Sequence, residues 1–400
     1  MLSRSMTSSI PTILQILPAL HEGGVEQGTL EIADAIMRAG GKALVASAGG
    51  RLEAHLRKNH VDHICIPKIG SCNPAYWTST LRTVRHILHE KHVTLVHARS
   101  RVPAWIARLA CRSDRVPFVT TWHGVHANTF PGKKLYNSVL ASGDRVIAIS
   151  HFIAQRLIND YHVDAQRLRI IPRGANIQKF SPEAVNGQRV HDLAEKWCIP
   201  IDSPVLLVPG RLTAWKGQNV VLHALRHLSL SRPDLKWYCV FVGSASGHHR
   251  YIRDLLAQTT HFNLTQRVHF AGHCADMPAA FALSSMVIVP SLKPEPFGRV
   301  IIEAQAMGKP VIVTRHGAAM ETVKEGVTGL SVLPRDSVAL AQAIAWVLKA
   351  PKHSLLEMTT AARNMVLAHY TTWAMQHATL SVYDELLHTS LAATFVDKTS

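Results

Sequence analysis

Four hundred residues, 47% of them hydrophobic, exceed the size of one comfortable core, so the length points to two domains of ordinary size. The six cysteines are scattered with no C-x-x-C pair, which argues against a disulfide scaffold and fits the cytoplasm. A formal net charge of +16, with its excess concentrated in residues 1–188, implies an anionic partner: nucleic acid, an acidic membrane leaflet or a phosphorylated acceptor.

The first apolar run, Ile10 to Leu20, is broken by Pro11, Gln15 and Pro18 and is too short to span a bilayer. Arg4 ahead of it suggests a secretory signal, but no small-residue cleavage site follows, and the run reads as a first buried strand. Five more short apolar runs then alternate with helical patterns: Ala43 to Ser47, His63 to Ile66, Thr94 to His97, Phe118 to Thr121 and Val146 to Ile149. Ser150 is placed to cap the next helix. The stretch from Arg173 to Gln188 keeps neither period and reads as a linker. The alternation restarts at Val205 to Val208, Tyr238 to Val242, Val268 to Phe270, Met286 to Val289 and Val311 to Val313, and beyond Asp336 only helices are predicted. The expectation is an α/β chain of two doubly wound parallel sheets, with a ligand bound at the carboxyl ends of their strands, in the cleft between them.

The turns carry the chemistry. "HEGGVEQG" (His21 to Gly28) follows the first strand and opens a helix, where Gly23 and Gly24 permit close backbone approach to a phosphate; a plain packing turn is the competing reading. It is not G-x-G-x-x-G, and the chain has no G-x-x-x-x-G-K-[ST], so hydride transfer and ATP hydrolysis lose ground. "PGRLTAWKGQ" sets Arg211 and Lys216 on the turn between a strand and a helix starting near Gly217, a position suited to a diphosphate, although isolated cations are more often solvated. In "EPFGRVIIE", Pro294 and Pro296 keep Glu295 in an extended loop, and the helix begins near Gly298. Glu303 then lies about one turn inside, at ~1.5 Å rise per residue, close enough to the helix start to share a ligand with the backbone N–H groups of Phe297 to Arg299. A loop carboxylate for sugar hydroxyls, a helical one for ribose and a helix start for phosphate make a nucleotide-sugar site. The same pair could be the acid and nucleophile of a glycoside hydrolase, but such a pair does not need a strand-to-helix junction or nearby Arg and Lys.

His86, His89 and His92 follow one helix face without a carboxylate or cysteine completing a metal site, and read as solvated. Aromatics are only 6%, with no recognition-helix or aromatic-interleaved basic strand, so nucleic acid is not expected. "CRSDR" (Cys111 to Arg115) and "PGKK" (Pro131 to Lys134), with Trp105 and Phe130 nearby, suit an anionic leaflet or ordinary solvated loops.

"GRLTAWKGQ" followed by "PEPFGRVIIEAQAMGKPVIVTRHGAAMETV" resembles the family 4 retaining glycosyltransferases with their E-x7-E hallmark. "HEGGVEQGTLEIA", "LVHARSRVPAWIA", "FVTTWHG", "RVIAISHFIA" and "IIPRGANIQKF" extend the resemblance, in family order, over almost the whole chain. It is similar in particular to bacterial lipopolysaccharide core glycosyltransferases, including mannosyltransferases. The resemblance implies a GT-B fold, two Rossmann-like domains facing across a cleft: residues 1–185 binding the acceptor, 186–370 binding the nucleotide sugar, and 371–400 returning a C-terminal helix to the first domain. It implies that Arg211 and Lys216 hold the donor diphosphate, Glu303 the ribose, and Glu295 with the backbone of Phe297 and Gly298 the transferred sugar. Gly23 and Gly24 would approach the phosphates, and His123 would sit at the sugar.

The expected reaction is retaining transfer of a mannose- or glucose-type hexose from a UDP- or GDP-sugar to a cell-envelope acceptor, with lipopolysaccharide core foremost and capsule, exopolysaccharide or glycolipid as alternatives. A non-catalytic binding protein for nucleotide sugars or anionic surfaces is the alternative of another class. No Asp-x-Asp pair occurs, so no metal or other cofactor is expected. The expected location is cytoplasmic, with peripheral contact at the inner face of the membrane. The chain departs from the family's common pattern at Pro296, at Arg173 in place of Asn and at Asn176 in place of Asp.

Overall fold

A computed structural model describes residues 10–21, 23–126, 131–200, 202–244, 247 and 249–396; Arg4 and Phe130 lie outside them. The chain divides into two compact units: Met1–Pro172 with Trp373–Ser400, and Arg173–Thr372.

The first unit is built on seven parallel strands, β1 (Thr12–Ile16), β2 (Lys42–Ser47), β3 (Asp62–Cys65), β4 (Leu95–Ala98), β5 (Phe118–Trp122), β6 (Arg145–Ala148) and β7 (Leu168–Ile170). Their order is β3-β2-β1-β4-β5-β6-β7. Every residue of β1, β4 and β5 is buried, the polar Thr12, Gln15, His97, Thr120 and Thr121 included, because a parallel sheet is covered by helices on both faces; these strands therefore show no apolar–polar alternation. Edge strand β7, "LRI", is three residues long and partly exposed, and carries too little apolar signal to be predicted. Helix Thr372–Leu387 joins this unit's core through Met375, Leu380 and Tyr383. Gln376 donates to the Glu31 carbonyl at 2.6 Å, and Glu385 accepts from both Arg145 and Arg169.

Six parallel strands form the second unit: β8 (Val205–Pro209), β9 (Tyr238–Val242), β10 (Val268–Gly272), β11 (Met286–Val289), β12 (Val311–Thr314) and β13 (Leu330–Val332), in the order β10-β9-β8-β11-β12-β13. Strand β13 at this edge, only three residues long, likewise carries too little signal to be recognised from sequence. The unit begins at Arg173 rather than within the loose stretch to Gln188 because that stretch is tied to its own C-terminal part. Ala175 N donates to the Tyr370 carbonyl at 2.8 Å, and Thr372 N returns a bond to Ala175 at 2.9 Å. Gly174 is needed there, since a Cβ would lie 2.3 Å from the Thr371 carbonyl oxygen. Ser150 caps helix His151–Tyr161 as the sequence predicts, accepting from Ile153 N at 3.1 Å. Among the described residues, no helix is long and apolar enough to cross a membrane.

Candidate active site

In the second sheet β8 and β11 are adjacent, while the connections leaving them run to opposite sides, β9 lying beyond β8 and β12 beyond β11. This is the topological switch point, where loops diverge and open a crevice at the carboxyl ends of the strands. The β8 loop carries Gly210, Arg211 and the 3-10 turn Ala214–Lys216; the β11 loop carries Ser291 to Gly298. Gly217 (φ 75°) lets the two loops touch, because a Cβ there would lie 1.9 Å from the Pro290 carbonyl oxygen. Leu292 N also donates to the Trp215 carbonyl at 2.7 Å.

That contact brings Lys216 to Glu295: Nζ lies 2.5 Å from Oε1. Ser291 Oγ donates to the same oxygen. The carboxylate is buried, and its residue is held extended by a parallel bridge to Gly317, with Ala318 N donating to its carbonyl at 3.0 Å. Lys216 and Ser291 thus converge on the one oxygen, Oε1. Lys216 also sits over the Trp215 ring, 4.3 Å from its centroid. Thr314 donates to the Ser291 carbonyl at 2.7 Å, and His316 Nε2 lies 2.7 Å from the same oxygen, fixing the loop from behind.

Arg211, on the same loop as Lys216, is exposed, and its carbonyl accepts from Gln218 Nε2 at 3.0 Å. Helix Arg299–Ala306 starts after Gly298, which adopts φ 88°, and Phe297 is buried edge-on against Tyr370 at 5.8 Å between ring centroids. Glu303 lies inside that helix, as expected, with Arg299 Nη2 3.4 Å from its Oε1. Six of the nine predicted site residues thus occupy the β8 and β11 loops and the helix that follows β11. Two cations, a helix start and two carboxylates at one switch point can take a ligand that is anionic at one end and hydroxylated at the other.

The other three, Gly23, Gly24 and His123, are in the first unit at the carboxyl ends of β1 and β5. Gly23 precedes helix Gly24–Arg38, and both glycines are exposed; Glu26 packs against Gly23, where a Cβ would meet its Oε2 at 2.6 Å. His123 lines a cavity of about 280 Å³ together with Glu26, Arg99, Arg101 and His126. Arg99, buried at the end of β4, donates through Nε and Nη2 to Gln15 Oε1 at 3.0 and 2.8 Å. Beneath it His97 bridges Tyr383 Oη at 2.7 Å and Thr121 Oγ1 at 2.6 Å. Burial, then Arg99 and His123, push the His97 imidazole well below its ordinary value, so it stays neutral. His126 is pushed down to about 4 by burial and by Arg101 and Arg156.

Residues 22–179 match the family model for Glycosyltransferase Family 4, and residues 191–365 the model for Glycosyl transferases group 1. A crystal structure of a glycosyltransferase from Rickettsia africae ESF-5 is 34% identical over 95% of this chain and 100% of that one, with a TM-score of 0.88. The chain is a family 4 glycosyltransferase. Its two sheets are the two Rossmann-like domains of the GT-B fold. Anabaena HepE, solved with UDP-glucose, shares this fold at 24% identity and a TM-score of 0.82, over 94% of this chain and 99% of that one. The D-inositol 3-phosphate glycosyltransferase of Xylanimonas cellulosilytica is 28% identical over 68% of this chain and 67% of its own length. The corresponding Catenulispora acidiphila enzyme is 29% identical, and the match spans 62% of it.

Several side chains around this candidate site carry no signal in the sequence. Trp215 adjoins Lys216 and Ser291 lies four residues before Glu295, but only the touching loops set one pair against the other, and no spacing rule gives that contact. Arg299, four residues before Glu303 on one helix, was legible as an i,i+4 pair. Asn176, where the family commonly has Asp, caps its own turn: its Oδ1 accepts from Gln178 N at 3.1 Å and Lys179 N at 3.0 Å. His86 pairs with Glu90 at 3.0 Å and His89 with Asp114 at 3.4 Å, both histidines well exposed.

Proposed function

We propose that this glycosyltransferase moves a hexose, with retention of configuration and without a divalent metal, from a UDP- or GDP-sugar to a hydroxyl of a phosphorylated saccharide or polyol of the cell envelope. The observation that carries the reading is the Lys216–Glu295 pair at the β8/β11 switch point, with Arg211 on the same loop as Lys216 and helix Arg299–Ala306 starting after the β11 loop. Departure of a nucleoside diphosphate builds negative charge on the bridging phosphate oxygen. Fixed cations and N–H dipoles there meet that charge without reorganising. In this scheme Lys216 and Arg211 face the diphosphate, Glu303 accepts from the ribose hydroxyls, and Glu295 with the backbone of Phe297 and Gly298 takes the transferred sugar.

Lys216 has a second task in this scheme. By neutralising Glu295 it lets a carboxylate stay buried beside the phosphates, so one cation serves both the sugar and the leaving group. Front-face departure and attack within the one site is the proposed route to retention. The first unit's cavity is assigned to the acceptor, with His123 contributing at the sugar and Gly23 and Gly24 approaching the phosphates. Two arginines, Arg99 and Arg101, line that cavity, and they favour an anionic acceptor. Relatives named for an inositol phosphate substrate support the same class, which also contains the lipopolysaccharide core expected from the sequence. Peripheral attachment to the inner face of the cytoplasmic membrane belongs to this proposal and follows from an envelope acceptor.

A panel of UDP- and GDP-sugars, scored for nucleotide release and thermal shift with purified protein, tests the reading. A response to one nucleotide series supports it; no response to any donor would replace it with a binding role.

A further inference from the structure

A second concave site lies at the other end of the first sheet. A cavity of about 630 Å³ is lined by Arg108, Arg112, Arg115 and Arg167, with Cys111 and Asp144. Its walls come from the end of helix Arg101–Asp114, the residues leading into β5, the turn before β6 and the residue before β7. All these strands are parallel, so the cavity opens at their amino ends. His123 follows the carboxyl end of β5, about 16 Å away at roughly 3.3 Å per residue over five residues.

The charges here are not balanced internally. None of the four arginines forms an ion pair among the described residues: Arg167 donates to the carbonyls of Ala141 and Gly143, and Arg108 lies over the Trp105 ring at 5.8 Å. Asp144 spends one oxygen on Phe118 N at 2.8 Å. Asp114, at the rim, already pairs with Arg85 at 3.1 Å and with His89. The partial negative charge of a helix C-terminus accounts for Arg112 and Arg115 at the end of helix Arg101–Asp114, but not for Arg108 a turn earlier or for Arg167 arriving just before β7. Burial first, and then the neighbouring Arg112 and Arg167, hold Arg108 below its ordinary value.

We propose that this arginine pocket is a binding site for a phosphate-bearing anion, separate from the donor and acceptor sites. Guanidinium forks match phosphate oxygens two at a time, and four of them around a concavity of this size suit a diphosphate or a phosphodiester head group better than a single carboxylate. The source is either a soluble phosphate compound or the head group of an anionic lipid. In the second case the amino-end face of the sheet is the one turned to the bilayer.

Arginine-selective labelling of the whole protein by phenylglyoxal, read peptide by peptide, tests the proposal with inorganic pyrophosphate, phosphatidylglycerol vesicles and phosphatidylcholine vesicles as probes. Labelling of Arg112 and Arg115 is expected to slow at least about fivefold with pyrophosphate or with phosphatidylglycerol, as a bound fraction above ~80% requires. Exposed Arg57 and the phosphatidylcholine arm are expected to show no change. Protection by pyrophosphate alone identifies a soluble ligand, and protection by phosphatidylglycerol alone a head group. Protection of Arg211 reports the donor site independently, so the two assignments fail separately. The variant R112S/R115S, altered only at exposed positions, should keep donor hydrolysis while losing about tenfold or more in affinity for the protecting probe. Labelling unchanged in both anionic arms, or equal protection at Arg57, or full affinity in the variant, overturns the proposal.

Discussion

Lys216 Nζ lies 2.5 Å from Glu295 Oε1, which joins the two loops of the β8/β11 switch point through one ion pair. Only 8% of the Glu295 side chain and 19% of the Lys216 side chain are exposed, so removing the cation strands a carboxylate in a poorly hydrated place. Lys216→Met is expected to destabilise the protein by about 1–3 kcal/mol, and Glu295→Gln added to it to recover part of that loss. Calorimetric unfolding of the two single variants and the double variant checks this. Strict additivity would mean the pair is not coupled.

Glu303→Ala is expected to weaken binding of the free donor nucleotide by about 1.5–3 kcal/mol, the worth of hydrogen bonds from ribose hydroxyls to a charged acceptor. It also frees Arg299 from its i,i+4 partner, which costs only a few tenths of a kcal/mol in stability on this scale. Titration calorimetry with UDP and GDP separates the two effects. Unchanged nucleotide affinity would remove Glu303 from the site.

The loop contact depends on Gly217. Gly217→Ala drives a Cβ to within 1.9 Å of the Pro290 carbonyl oxygen at a backbone angle of φ 75°, whereas Gly326, at φ 72°, has open space around it. Gly326→Ala should therefore cost only the left-handed backbone penalty, roughly 1–2 kcal/mol, and Gly217→Ala distinctly more. Gly217→Ala should also lose donor turnover, because the β8 and β11 loops must part. Similar melting temperatures for the two variants would contradict this account of the switch point.

Much of this site was legible before any fold was known. Strands β8 and β11 are buried and continuously apolar, and the glycine, proline and charged residues that follow them mark the turns at which Arg211, Lys216, Glu295 and Gly298 are found. What escaped was whatever depends on contact between separate turns. Lys216 meets Glu295 only because Gly217 seats one loop against the other, and the His97–Tyr383 bridge joins residues nearly three hundred positions apart. Edge strands β7 and β13 escaped for the opposite reason: with three residues each and partial exposure, neither alternation nor an apolar run can be recognised.

His126 supplies a pH dependence. Its folded value of about 4 lies below the ordinary 6.5, so as pH falls from 6.5 towards 4 the unfolded chain takes up a proton that the folded protein refuses. Stability from this group is therefore complete above pH 6.5 and declines below it, by up to about 3 kcal/mol at 1.36 kcal/mol per pH unit. His126→Phe, which keeps a ring beside Trp122, should flatten the fall in melting temperature between pH 6.5 and 4 relative to the unaltered protein. Identical slopes would show that His126 is not held neutral by its surroundings.

The central claim is that Lys216 and Arg211, at the switch point of the second sheet, meet the charge of a departing nucleoside diphosphate. The measurement that tests it most directly is donor turnover after exhaustive EDTA treatment, with and without added magnesium or manganese, in the unaltered protein and in Lys216→Ala. The account predicts that turnover survives chelation, and that Lys216→Ala lowers kcat about a hundredfold to a thousandfold, or roughly 2.7–4 kcal/mol, with a smaller change in donor affinity. Activity abolished by EDTA and restored by a metal, or a Lys216→Ala variant with unaltered kcat, would contradict it.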